Sequence, residues 1–132
     1  MSLFNQFTRF YPTNNSTINF TVTFSESIDP GTFSASDVAL SGTGTGTVGT
    51  PTTSDNITWT IPVTATGNGT IIASLAANTV TDVNGNPNLV ATNTDNTVTY
   101  DNTTPTISEI TAVTTPTNDT TPNYTFTTNE AG

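Results

Sequence analysis

The chain has no cysteine, no histidine and no lysine, and Arg9 is its one basic residue. Each absence removes a class of chemistry. Without cysteine there are no disulfides and no thiolate metal sites. Without histidine or cysteine there is no Ser-His-Asp or Cys-His arrangement. Without lysine there is no Schiff-base chemistry and no glycine loop closed by a phosphate-binding lysine. A pair of carboxylates can in principle hydrolyse a glycoside, but that needs a cleft, which a lone small β-domain rarely offers. The chain is therefore read as non-catalytic. Ten acidic residues against one basic give a net charge of −9 over 132 residues. That charge repels phosphate backbones and anionic lipid, which are bound by clustered Lys and Arg, so nucleic acid is excluded as a partner. No apolar run approaches the roughly 20 residues of a membrane helix, so membrane insertion is not expected. The opening "MSLFNQFTRF" has neither a basic n-region nor an apolar h-region. The chain reads as a piece excised from a longer protein.

What is present is threonine, asparagine and a strict two-residue hydrophobic period. In "TINFTVTFS", Ile18, Phe20, Val22 and Phe24 fall on one face and Asn19, Thr21, Thr23 and Ser25 on the other. Period two with β-branched and aromatic residues specifies a half-buried strand. "ITWTIPV" repeats the pattern with Ile57, Trp59, Ile61 and Val63, and Pro62 among its outward residues suggests an edge or a bulge. "TIIASLA" and "NTVTY" are shorter strands with Ala73, Leu75, Val98 and Tyr100 inward, and "FSASDVAL" is another, anchored by Phe33, Val38 and Leu40. Turn signals separate them: "DPG" at Asp29–Gly31, "SGTGTGT" at Ser41–Thr47, "GNG" at Gly67–Gly69 and "NGN" at Asn84–Asn86. No segment has helical spacing. The expected fold is all-β, an immunoglobulin-like antiparallel β-sandwich of about seven strands with Trp59 filling its core.

The chain also repeats itself. "PTNNSTINFTVTFSE" (Pro12–Glu26) returns as "PTNDTTPNYTFTTNE" (Pro116–Glu130). Pro12, Thr13 and Asn14 match Pro116, Thr117 and Asn118; Phe20 becomes Tyr124, and Glu26 matches Glu130. A self-match about one sandwich apart marks a tandem array. One nearly complete unit is expected over residues 4–101, and residues 102–132 form a "DNTTP" junction and the first strands of a following repeat. In that second part Ile107, Ile110, Val113, Tyr124 and Phe126 have no partner of their own. An unpaired edge seeks another strand, so residues 105–132 are expected to swap, to pair edgewise in a dimer, or to be poorly ordered.

"INFTVTFSESI", "FSASDVALSG", "GTIIASLAANTVTDVNGNPN" and "DNTVTYD", in this order and spacing, resemble the bacterial Ig-like repeats of large surface adhesins and biofilm-associated proteins. The resemblance covers residues 13–101 and continues weakly beyond. It implies a spacer sandwich whose partners are neighbouring repeats of the same chain, in an extracellular or cell-surface protein. It also implies calcium near domain junctions. Arg9, the aromatic "FTRFYP" and the "SGTGTGT" loop depart from the pattern.

Candidate sites are few. In "TDVNGNPN", Asp82, Asn84 and Asn86 alternate around Gly85. Two readings stand: a tight turn, since Asn and Gly tolerate positive φ, or a cation loop. Calcium takes six to eight oxygens, so a metal loop would need Glu26, Asp101 and Asn102 as further donors. The loop is not an EF-hand, because its glycine is misplaced and no closing glutamate follows. Glu26 and Glu130 hold the same place in the two repeats. Asp37 in "SASDV" reads as an Asx-type turn, with metal binding the lesser alternative. The alternative function is a carbohydrate-binding module stacking sugars on exposed aromatics. For it Trp59 is the natural platform, but its alternation with Ile57 and Ile61 places it inside. Tyr11, Tyr100 and Tyr124 are scattered in sequence.

Overall fold

A computed structural model describes residues 2–5, 12–93 and 95–130. Arg9, Tyr11 and most of "FTRFYP" lie outside them. The chain divides into two compact units, Met1–Asn102 and Thr103–Gly132.

Among the described residues the first unit is all-β, broken only by two single-turn 3-10 segments. One sheet holds β1 (Ser2–Asn5), β2 (Thr17–Phe24), β4 (Thr45–Val48), β5 (Thr52–Thr53), β6 (Thr58–Gly67) and β8 (Thr92–Asn93). Its order is β4-β6-β2-β1-β8, with β5 also on β6. The other sheet is β3 (Val38–Ser41), β7 (Gly69–Leu75) and β9 (Thr97–Tyr100), in the order β3-β7-β9. Every pairing is antiparallel except β1 with β8 and the isolated bridge between Thr13 and Tyr100, which are parallel.

The alternation explains the core. β2 buries Ile18, Phe20, Val22 and Phe24, and β6 buries Trp59, Ile61, Val63 and Ala65. Ile71, Ala73 and Leu75 from β7 and Val98 and Tyr100 from β9 meet them, so the two sheets enclose one continuous apolar cluster. Phe33 packs edge-on against Trp59, with ring centroids 5.1 Å apart, and against Phe24 at 5.9 Å. Such edge-to-face contacts add to the burial of area. Trp59 is 3% exposed, and its Nε1 has no hydrogen-bond partner among the described residues.

Several expectations need correction. "FSASDVAL" is a strand only from Val38 on. Ser34 and Asp37 form a reciprocal capping box that winds Ala35–Asp37 into a 3-10 turn. Pro62 does not mark an edge, because β6 lies between β2 and the β4/β5 pair. The Pro62 carbonyl accepts from Gly49 N at 2.7 Å, so its missing N–H points to the same side. There the neighbouring chain jogs from β4 to β5, and no donor is needed. "SGTGTGT" is not all loop, since Thr45–Val48 pairs with β6. The bend before it needs Gly42: φ is +109°, and a Cβ there would sit 2.2 Å from the Thr70 carbonyl oxygen. "GNG" turns the chain from β6 in one sheet into β7 in the other.

The second unit is a two-stranded antiparallel sheet of β10 (Ile107–Thr111) and β11 (Thr125–Thr128). Ile107, Ile110, Tyr124 and Phe126 are each more than half exposed.

Candidate functional site

The stretch 76–91, between β7 and β8, contains "TDVNGNPN". Asp82 is 8% exposed and organises its first half. Its Oδ1 accepts from Asn84 N and Asn86 N, each at 2.8 Å, and its Oδ2 accepts from Asn86 Nδ2 at 2.8 Å. Backbone bonds close the same turn: Asp82 N donates to Asn86 O, and Gly85 N to Asp82 O, each at 3.0 Å. Gly85 supplies the positive φ of +84°. The Asn86 side chain, then the Asn86 and Asn84 backbone donors, hold the Asp82 carboxyl below its ordinary 3.8.

The second half is organised by Asn88, which the sequence reading passed over as one more turn residue. Asn88 is 7% exposed. Its Oδ1 accepts from Thr79 N at 2.9 Å and Val80 N at 3.0 Å, while its Nδ2 donates to the carbonyls of Ala76 and Leu89 at 2.8 Å. One amide thus satisfies four backbone groups of a segment outside either sheet, which a loop crossing a core would otherwise leave unpaired. Val80, fully buried beside it, pins the loop to the core.

The structure brings some of the proposed ligands together and separates others. Glu26, Asp82 and Asn86 line one small cleft of about 50 Å³, with Phe24, Ile28 and Val80 as its apolar wall. Asn84 is exposed and contributes its backbone N–H to Asp82. Asp101 is elsewhere. It follows β9, whose Tyr100 pairs with Gly69, whereas the Asp82 loop leaves the far end of β7 after Leu75. Six strand steps of about 3.3 Å put the two ends about 20 Å apart. Asn68 Nδ2 donates to Asp101 Oδ1 at 3.0 Å, and Asn68 Oδ1 accepts from Asn102 N at 3.1 Å, which fastens the strand's exit.

The expected ligands do not assemble as one set. A carboxylate offers about four lone-pair sites, and three of those on Asp82 already receive N–H donors. Asn86 presents its amide N–H, not its oxygen, to the Asp82 carboxylate. With Asp101 at the other end, Glu26 is the other carboxylate of the expected set on this cleft. No group of three acidic, histidine or cysteine residues suited to a metal occurs among the described residues. Asp37 accepts from Ser34 N and Ser34 Oγ, each at 2.8 Å, and serves the local turn.

Asp55 was also not singled out. It caps the β5–β6 connection, its Oδ1 accepting from Thr58 N at 2.7 Å and Ile57 N at 2.9 Å. Those two backbone donors, Thr58 first, lower its pKa. The "SDN" triplet was the legible signal, an aspartate ahead of Asn56 with φ +59°.

Of the aromatics weighed for a sugar platform, Trp59 and Tyr100 are buried and Tyr11 lies outside the described residues, while Tyr124 is 54% exposed with its ring centroid 6.3 Å from that of Phe126. The cleft beside Glu26 is far below the several hundred Å³ of a ligand pocket. No family model matches the chain, and neither does any curated protein or solved structure. No helix among the described residues is long and apolar enough to cross a membrane.

Proposed function

We propose that the chain is a structural spacer repeat: one immunoglobulin-like sandwich followed by the opening strands of a second, from a large secreted or surface-anchored bacterial adhesin-like protein. Its work is mechanical, to hold a binding tip away from the cell in series with sister repeats. One observation carries the reading. β10 and β11 pair antiparallel as β1 and β2 do, β11 holding the residues that the self-match sets against β2, with the β10 partners one residue further along than its spacing gives. Two features support the immunoglobulin-like assignment: two sheets around one core with a central tryptophan, and an N-terminal segment that touches the last strand in parallel at Thr13 and Tyr100. The absence of histidine, cysteine and lysine supports a role without catalysis. The hydrogen-bonded loops at Asp55, Asp82 and Asn88 support a stiff unit 1.

Force spectroscopy tests this directly. With the chain held by its two ends, unit 1 should open in one cooperative step. About 100 residues released at about 3.4 Å each give a contour gain of about 340 Å. Gradual extension with no such step would refute a load-bearing role.

A further inference from the structure

The outer face of the larger sheet in unit 1 is a grid of threonines. Thr47, Thr64 and Thr17 stand opposite one another across β4, β6 and β2. Thr52, Thr60 and Thr21 do the same across β5, β6 and β2, and Thr58 faces Thr23. Asn19 opposite Pro62 fills the row between. Each of these side chains is exposed or half-buried. Among the described residues, none of the eight threonine hydroxyls in the three rows bonds to protein. The smaller sheet differs, since its outer face mixes Ala39, Ile72 and Ser74 with threonine. Charge is absent as well. No strand of unit 1 holds a charged residue, although the chain carries a net −9.

The internal repeat independently singles out the same face. At the spacing that matches Pro12 with Pro116, the outward residues Thr17, Asn19, Thr21 and Thr23 return unchanged as Thr121, Asn123, Thr125 and Thr127. The inward residues between them all differ: Ile18, Phe20, Val22 and Phe24 become Pro122, Tyr124, Phe126 and Thr128. Substitutions on a solvent face cost little stability, so packing does not account for an outer face that is kept while the inner one changes. A contact made from outside does.

We propose that this threonine grid binds the surface of ice. Strand pairing sets the hydroxyls about 4.8 Å apart along a row, and same-face residues set the rows about 6.7 Å apart. Oxygens recur on a rectangular grid of similar dimensions on the prism face of ice. Threonine is β-branched and stiff at χ1, so the grid is ordered before contact and little rotamer freedom is lost in making it. Each hydroxyl both donates and accepts, as lattice water does, and each methyl fills the space between. Ice admits no ions, and a charge pressed against it would lose its hydration without a partner, which an uncharged face avoids. Sheet twist limits a planar contact to about three strands, the width of the Thr47 and Thr52 rows. A crystalline glycan is the poorer fit, because sugar rings stack on aromatic side chains and these rows hold none.

The test grows single ice crystals in solutions of the full chain. Wild type should hold a gap between melting and freezing points, facet the crystals and slow recrystallisation, all rising with concentration. Thr60→Lys with Thr64→Lys places charge at the grid's centre and should cut these effects by about tenfold. Thr60→Ser with Thr64→Ser keeps the hydroxyls, frees χ1 and removes the methyls, and should cut them by about threefold. Ala39→Lys with Thr97→Lys, on the other sheet's outer face, should stay within about twofold of wild type. Circular dichroism melting checks that every variant is folded. Wild-type freezing no different from that of an inert protein at equal molarity would overturn the proposal. So would equal loss from the two lysine pairs. Binding to crystalline cellulose or chitin that the Thr60/Thr64 lysine pair abolishes, with no effect on ice, would give the face to a glycan and overturn it as well. Failure here leaves the spacer reading standing, since the force resistance of unit 1 does not depend on what its outer face binds.

Discussion

Phe20 and Tyr124 occupy the same place in the repeat and should respond oppositely to truncation. Phe20 is 0% exposed at the centre of β2, where its ring meets both sheets' residues in one core. Phe20→Ala removes the ring's transfer free energy and leaves a cavity that a close-packed sandwich cannot fully collapse. Substitutions of this kind cost about 3–5 kcal/mol. For a unit of this size each kcal/mol moves the melting temperature by about 4–8 °C, so a fall of about 20 °C is expected. Tyr124 is 54% exposed, and its alanine variant should move the unit 1 transition by less than about 2 °C. The assay is circular dichroism of thermal unfolding, with urea titration to check that the m-value holds while the midpoint moves. Equal shifts for the two variants would refute the reasoning, because the face of β11 would then be as well covered as that of β2. A shift below about 5 °C for Phe20→Ala would refute the core assignment itself.

Three further outcomes follow from the loops. Asn88→Ala removes the acceptor of the Thr79 and Val80 N–H groups and one donor each to the Ala76 and Leu89 carbonyls. It should destabilise unit 1 by about 2–4 kcal/mol in urea titration. Asp55 and Asp82 have lowered pKa values in the folded state. Their contribution is therefore complete above the unfolded value of 3.8 and is lost as pH falls through the lower folded values. Melting temperature should thus drop steeply below about pH 4, and the gap between wild type and Asp82→Asn should close over the same range. Millimolar calcium in place of EDTA should move the melting temperature by less than about 1 °C. A calcium-specific rise that magnesium does not reproduce and Asp82→Ala abolishes would restore the metal loop.

The strongest strands were legible because each has one face in the core and one in water. β2 and β6 alternate without a break. Other elements were hidden by local chemistry. The Ser34–Asp37 capping box looks like polar positions of a strand. Pro62 reads as an edge signal unless one knows that its neighbour changes strand at that point. The candidate site was half legible. Asp82, Gly85 and Asn86 advertise a tight turn, and they make one. Asn88 looks the same in sequence, yet its importance comes from burial, which the β7–β8 crossing imposes. Asp101 was grouped with Asp82 because sequence carries no distance, and the length of β7 holds them apart.

β2 lies between two strands, β1 and β6, whereas β11 pairs with β10 alone among the described residues. Residue-resolved amide hydrogen exchange on the full chain tests this most directly. Val22 and Phe24 should exchange only through global unfolding, at the slow limit of the molecule. Phe126 and Thr128, their counterparts on the open edge, should exchange at least a hundredfold faster. Equal protection at the two pairs would contradict the account, because the β11 edge would then already have its strand.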